Sequence, residues 1–242
     1  MNGAAAMQWF ETPLGEHVAR TERALARLAL EDVFGFELLQ LGAWGPERNL
    51  LAAARTQHTT LLAPELVPGV TLSAPLTSLP FAADSIDAIV LAHTLELVED
   101  PYAVLREAGR VLCAEGCLII LGFNPWSGWG ACHSAARYFR RRMFPPQVRR
   151  LLSERRLRDW VSLLDFEIET VHGYLGTLPL GGRRSEPQAA ESEVKPRPAL
   201  TAGAYLLKAR KRVQTLTLVR WRRRAIKRVL VPAAEPTTKV GP

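Results

Sequence analysis

Leu79–Asn124 reads LPFAADSIDAIVLAHTLELVEDPYAVLREAGRVLCAEGCLIILGFN. Two short apolar runs, Ile86–Leu91 and Cys117–Phe123, carry several β-branched residues. Between them Tyr102, Leu105, Ala108, Val111 and Leu112 recur at helical spacing. Short apolar runs flanking one helix predict a βαβ unit whose parallel strands are buried on both faces. Sites on such sheets open at the carboxyl ends of the strands. Here those ends are Ala92-His93-Thr94 and Gly122-Phe123-Asn124.

The pattern extends in both directions. Residues 14–34 are expected to be helical, Phe36–Leu41 to be a first strand, and Pro46–Arg55 to start a helix with Pro46 in its first turn. Thr59–Leu62 and Val70–Leu72 read as weak second and third strands, Ile86–Leu91 as the fourth and Cys117–Phe123 as the fifth. The intervening helix is Pro101–Leu112, and Glu115-Gly116 is the turn before the fifth strand. Residues 125–148 break the α/β rhythm. A helix is expected over Gln147–Leu164, a sixth strand over Phe166–His172 and a seventh, antiparallel strand over Ala202–Ala209. Residues 181–198 are rich in Gly, Pro and polar residues and read as a linker.

Composition narrows the class. The chain has 242 residues, enough for one α/β domain plus a tail. No run of 18 apolar residues suggests a membrane span, and the first residues lack the pattern of a secretory signal. Three cysteines are too few for a disulfide framework. Cys113 and Cys117 are expected as buried thiols, no Cys/His spacing suggests a metal, and a reducing cytoplasm fits. Charge is uneven. Residues 195–242 hold 13 Lys/Arg against one acid, while residues 1–194 hold 18 against 23.

Leu79-Pro80-Phe81, Asp84-Ser85-Ile86-Asp87, Leu105-Arg106-Glu107, Arg110-Val111-Leu112 and Glu115-Gly116-Cys117-Leu118 together resemble the second half of a class I S-adenosylmethionine-dependent methyltransferase. The subgroup is the small-molecule type that includes ubiquinone-biosynthesis enzymes. Within it the chain looks closest to little-characterised bacterial methyltransferase-like proteins whose fifth strand ends in Gly-Phe-Asn-Pro. The resemblance implies a Rossmann-like α/β sandwich with a mostly parallel seven-stranded sheet, a helical insert and a basic C-terminal tail. The chain is read as an N-terminal helical extension (1–34), a methyltransferase-like domain (35–209, with an insert at about 125–164 and the linker at about 181–198) and, from its composition, a basic, disordered tail (210–242), the resemblance itself thinning out before residue 35 and after about residue 175.

The resemblance also implies S-adenosylmethionine as cofactor and a small-molecule methyl acceptor. The family turn after the first strand is an acid, any residue, then Gly-x-Gly-x-Gly. Here it is Gln40-Leu41-Gly42-Ala43-Trp44-Gly45-Pro46. Gln40 stands at the acidic position, and Trp44 and Pro46 at the second and third glycines. Gly42, Ala43 and Gly45 are the candidate cofactor-binding residues of this turn, and an ordinary strand-to-helix turn is the competing reading. The second strand lacks the family's terminal acid, with Glu65 just beyond it, and Pro75 replaces an Asp near the adenine. Leu76 and Thr77 are the candidates for the adenine edge.

His93 lies where the family contacts cofactor or substrate, and a His can act as a general base near neutral pH. A strand-end cap is the alternative. Asn124 is the second catalytic candidate, with a turn before Pro125 as its alternative. Asp87 and Arg110 read as structural. Nine arginines in the two runs Arg137–Arg142 and Arg149–Arg158, with Tyr138, Phe139 and Phe144, suit an anionic substrate such as an acceptor with an apolar body and an acidic group, nucleic acid, a membrane surface, or simply a solvated helix face. The tail, centred on Arg220-Trp221-Arg222-Arg223-Arg224, suits nonspecific contact with nucleic acid or an acidic membrane. Two functions stand: a methyltransferase with a divergent cofactor turn, or an inactive methyltransferase-like protein that binds nucleic acid or a protein through its basic surface.

Overall fold

The computed structural model describes residues 8–45, 49–138, 144, 145, 148, 150–176, 202–212 and 241. Its elements are α1 (Pro13–Leu30), β1 (Glu37–Leu41), a 3-10 turn (Leu51–Ala53), β2 (His58–Ala63), β3 (Leu72–Ser73), β4 (Ile86–Ala92) and α2 (Thr94–Leu97). Then follow α3 (Pro101–Val111), β5 (Leu112–Phe123), α4 (Gly128–Tyr138), α5 (Glu154–Leu163), β6 (Phe166–Tyr174) and β7 (Ala204–Lys211). The seven strands form one sheet in the order β3-β2-β1-β4-β5-β7-β6. β1 to β5 pair in parallel, and β7 runs antiparallel to both β5 and β6. This is the Rossmann-like sandwich expected, including the antiparallel seventh strand.

Alternate residues of the central strands serve two cores. Leu38, Ala88, Val90, Ile119 and Leu121 pack with α1 on one face. Leu39, Ile89, Leu91, Leu118 and Ile120 pack on the other with Val104, Leu105, Ala108 and Val111 of α3. Each such apolar side chain contributes about 1.5–3 kcal/mol when fully buried. Coverage on both faces explains why Ile89-Val90-Leu91 and Leu118-Ile119-Ile120 are apolar without a break.

Local chemistry sets the element ends. Thr12 accepts the Gly15 N–H to cap α1, Asp100 accepts the Ala103 N–H to cap α3 with Pro101 in its first turn, and Ser153 accepts the Arg156 N–H to cap α5. Asp87 accepts the Phe36 and Glu37 N–H groups at 2.7 and 2.9 Å, tying β4 to the start of β1. Arg110 donates to the Leu79 and Phe81 carbonyls and to Glu107. Both are structural, as their positions suggested.

Three expectations need correction. The helix expected over Pro46–Arg55 is, in the described residues, a single 3-10 turn. The Gln40 and Asn49 side chains accept the Leu50 and Leu51 N–H groups, which diverts them from helical bonding, and both leucines turn into the α1 core. Glu115-Gly116 does not precede β5 but lies inside it. There the register jumps from Ile86↔Leu112 to Ala88↔Cys117, and Glu115 takes a φ of 61°. The helix expected from Gln147 starts at Glu154, where Ser153 supplies the cap. Cys113 is half-buried and Cys117 buried, both as free thiols. The 181–198 linker, and the tail beyond Arg212 up to residue 240, lie outside the described residues.

Candidate functional site

β1 and β4 are neighbours whose crossovers leave in opposite directions along the sheet, so a crevice is expected at their carboxyl ends. β1 ends in Gly42 at φ 88°, with its N–H on the Leu62 carbonyl at 2.8 Å. A Cβ on Gly42 would sit 2.8 Å from Thr94 Oγ1, the hydroxyl that donates to the Leu41 carbonyl. Glycine is therefore dictated here by both backbone angle and space. Gly45 also has a positive φ, 84°, but a Cβ there would meet no described atom within 4 Å. Gln40 is fully buried and bridges the turn, donating to the Gly42 carbonyl and accepting from Leu50 N–H at 2.9 and 2.8 Å.

The next strand end is a buried ion cluster. His93 has a φ of 53° and no solvent exposure. Its Nδ1 lies 2.6 Å from Glu96 and its Nε2 2.7 Å from Glu22 of α1. Glu22 also accepts the Trp44 indole N–H at 2.6 Å and the Tyr174 hydroxyl at 2.9 Å. Glu96 accepts the Phe123 N–H at 2.7 Å. The His93 ring stacks on Trp44 at 4.2 Å and lies 4.1 Å from Phe123, which in turn stacks on Phe144.

Electrostatics follow from this packing. Burial pushes the His93 pKa down, but the Glu22 and Glu96 carboxylates outweigh it and raise it to about 9. At neutral pH the ring is an imidazolium with both N–H groups engaged. Burial raises the Glu96 pKa against the pull of His93. Burial, then the Glu22 charge, pushes Tyr174 well above its ordinary value, so its hydroxyl stays a donor.

The candidate residues are distributed accordingly. Gly42, Ala43 and Gly45 stand together at the β1 end, with His93 at the end of adjacent β4. Leu76 is buried in the α3-side core, while Thr77 beside it is exposed. Asn124 directs its amide N–H to the Ala202 carbonyl at 3.2 Å and accepts the Trp126 N–H at 3.0 Å, the bonding of a turn. Both His93 ring nitrogens are bonded within the cluster, to Glu96 and to Glu22. The hub residues Glu22, Glu96 and Tyr174 went unnoticed in the sequence. One signal was legible. Glu22 falls on the buried stripe of α1 with Val18, Ala19, Leu25 and Ala26, where an acid needs a partner.

Residues 42–120 match the family described as "Methyltransferase domain". Over these residues the chain is similar to methyltransferase domains. An S-adenosylmethionine-dependent methyltransferase from Thermotoga maritima shares its fold with a TM-score of 0.64 at 19% identity, over 85% of this chain and 93% of that one. Another from Mesorhizobium loti gives 0.53 at 17%, over 79% and 98%. Among curated proteins, "Uncharacterized protein YafS" of Escherichia coli is 34% identical over 166 residues, 66% of this chain and 65% of the relative. The chain thus spans just under two thirds of that relative's length.

The fit of this domain to the superfamily's cofactor rests on the β1 turn. Both glycines, Gly42 and Gly45, are buried with left-handed backbone, which favours glycine at each. The ribose end is poorer in charge: β2 stops at Ala63, and the exposed Glu65 lies two residues beyond it. Among the described residues no His/Cys/Asp/Glu group could hold a metal, and no helix is long and apolar enough to cross a membrane.

Proposed function

We propose that this chain is an S-adenosylmethionine-dependent methyltransferase acting on a small-molecule acceptor. The observation that carries the reading is the Gly42–Gly45 turn at the end of β1 beside β4, with left-handed backbone at both glycines. In this reading the main chain of Gly42, Ala43 and Gly45 holds the methionine end, and Leu76 and Thr77 border the adenine. S-adenosylmethionine supplies an activated methyl group with a good leaving group, so the protein's task is alignment. His93 and Asn124 then shape the mouth, His93 by fixing α1 and Asn124 by fixing the β5 turn, without moving a proton. A small acceptor is favoured because α1 reaches His93 and covers this edge of the sheet.

Titration calorimetry with S-adenosylmethionine and with S-adenosylhomocysteine tests the reading. Saturable one-to-one binding is expected, lost in Gly45→Leu while the circular dichroism spectrum is unchanged. No heat and no thermal stabilisation of the wild-type protein at millimolar ligand would overturn it, because a ligand that binds only the folded state must raise its stability. That result would leave the fold as a binding module.

A further inference from the structure

Trp44 stands inside the turn after β1, between the left-handed Gly42 and Gly45. Its indole is 4% exposed and lies against three rings, with centroids 4.2 Å away at His93, 5.1 Å at Phe10 and 6.2 Å at Phe123. Trp9 packs edge-on against Phe10 at 5.0 Å, so the segment ahead of α1 packs on the indole through Phe10. Gly42, Gly45, Leu76 and His93 are buried as well, and Ala43 is half-buried. The main chain assigned above to the methionine end is thus covered by the protein's own side chains, and a ligand reaches it only if one of them leaves.

The surroundings single out which one. His93 is bonded through both ring nitrogens. Phe123 belongs to β5, with its N–H on Glu96. Gln40 is tied through both ends of its amide, to the Gly42 carbonyl and the Leu50 N–H. Trp44 is held more lightly. Among the described residues its side chain makes one hydrogen bond, from the indole N–H to Glu22 Oε2. The other oxygen of that carboxylate, Oε1, takes His93 and Tyr174. Departure of the indole therefore leaves the contacts that Glu22 makes with His93 and Tyr174 in place. A glycine on each side gives the turn the backbone freedom of a hinge.

We propose that Trp44 is the gate of the cofactor site: its indole covers the turn in the closed state, and S-adenosylmethionine binds when the ring swings out between Gly42 and Gly45. The inference rests on the methyltransferase reading. The resemblance puts a glycine at this position, where no side chain covers the turn, so the gate is a property of this chain. A ligand that binds only the open state has its affinity lowered by the fraction of molecules that are open, and removal of the indole lifts that reduction.

Titration calorimetry of the full chain with S-adenosylmethionine, on wild type, Trp44→Gly and Trp44→Phe, tests the gate. Trp44→Gly should bind roughly tenfold or more tightly than wild type. Trp44→Phe keeps a ring in place but loses the bond to Glu22, so it should fall between the two, and it carries the test if Trp44→Gly does not fold. In stopped-flow mixing the binding rate of wild type should level off as ligand rises, because opening precedes binding, whereas that of Trp44→Gly should rise linearly. The His93 C2-proton resonance of wild type should shift at saturation, because the indole stacked on it leaves. Equal or weaker affinity in the folded variants, with wild type binding, would overturn the gate and leave the methyltransferase reading standing. An absence of binding in wild type and in both variants would remove that reading, and the gate with it.

Discussion

Gly42 and His93 are the two residues at which backbone and side chain are most tightly coupled. A Gly42→Ala change adds a Cβ 2.8 Å from Thr94 Oγ1 at a φ of 88°. It should cost about 1–3 kcal/mol in urea unfolding, and a cost near zero would mean that the turn relaxes freely. His93 is held in a left-handed conformation because its two ring nitrogens are gripped by Glu22 and Glu96. Its folded pKa of about 9 lies above the ordinary 6.5. The stabilisation from this shift is therefore complete below pH 6.5 and is lost as pH rises through about 9. Denaturant midpoints should fall over that window in the wild type, and the fall should be reduced in His93→Gln. A C2-proton titration of His93 with a midpoint near 6.5 would refute the charged cluster. The sequence singled out His93 by its place after β4, yet its partners lie 71 residues upstream and three downstream, and the distant one sets its chemistry.

At the scale of elements, α1 belongs to the domain core. Its Val18, Leu25, Ala26 and Leu30 pack on the sheet, and Glu22 anchors it to β4, to the β1 turn and to β6 through His93, Trp44 and Tyr174. Glu22→Ala removes three buried hydrogen bonds and leaves His93 with one carboxylate. Breaking a buried ion pair from one side typically costs about 3–5 kcal/mol. The expected result is a loss of that size, with faster hydrogen exchange along α1 than along β5. Equal acceleration in both elements would show that α1 does not open separately. Helix limits were legible where a cap was present in sequence, as at Thr12-Pro13 and Asp100-Pro101. The region after β1 was not legible, because side-chain acceptors from Gln40 and Asn49 redirect the N–H groups that a helix would use.

Across the whole molecule, stability should be graded by depth in the sheet. β4 is paired on both sides, by β1 and β5, and Ile89, Val90 and Leu91 have no exposure. β3 is two residues long and lies at one edge. Native-state hydrogen exchange should therefore be slowest at Ile89–Leu91 and fast at Leu72–Ser73. Exchange at β3 as slow as at β4 would contradict the graded picture.

By itself the sequence determined the class of sheet, because unbroken apolar strands around an amphipathic helix leave few stable arrangements other than a parallel sheet covered on both faces. It also singled out Gly42 and His93, since glycine placement and strand ends are local properties. Only the tertiary structure decided the character of the site. Trp44 reads in sequence as a departure from a glycine turn. In the fold it is a buried ring stacked on an imidazolium and bonded to a carboxylate of α1. The reason is physical: a charge buried in a low-dielectric interior takes its protonation state from whatever the fold brings within hydrogen-bond reach, and that set is written nowhere in the local sequence.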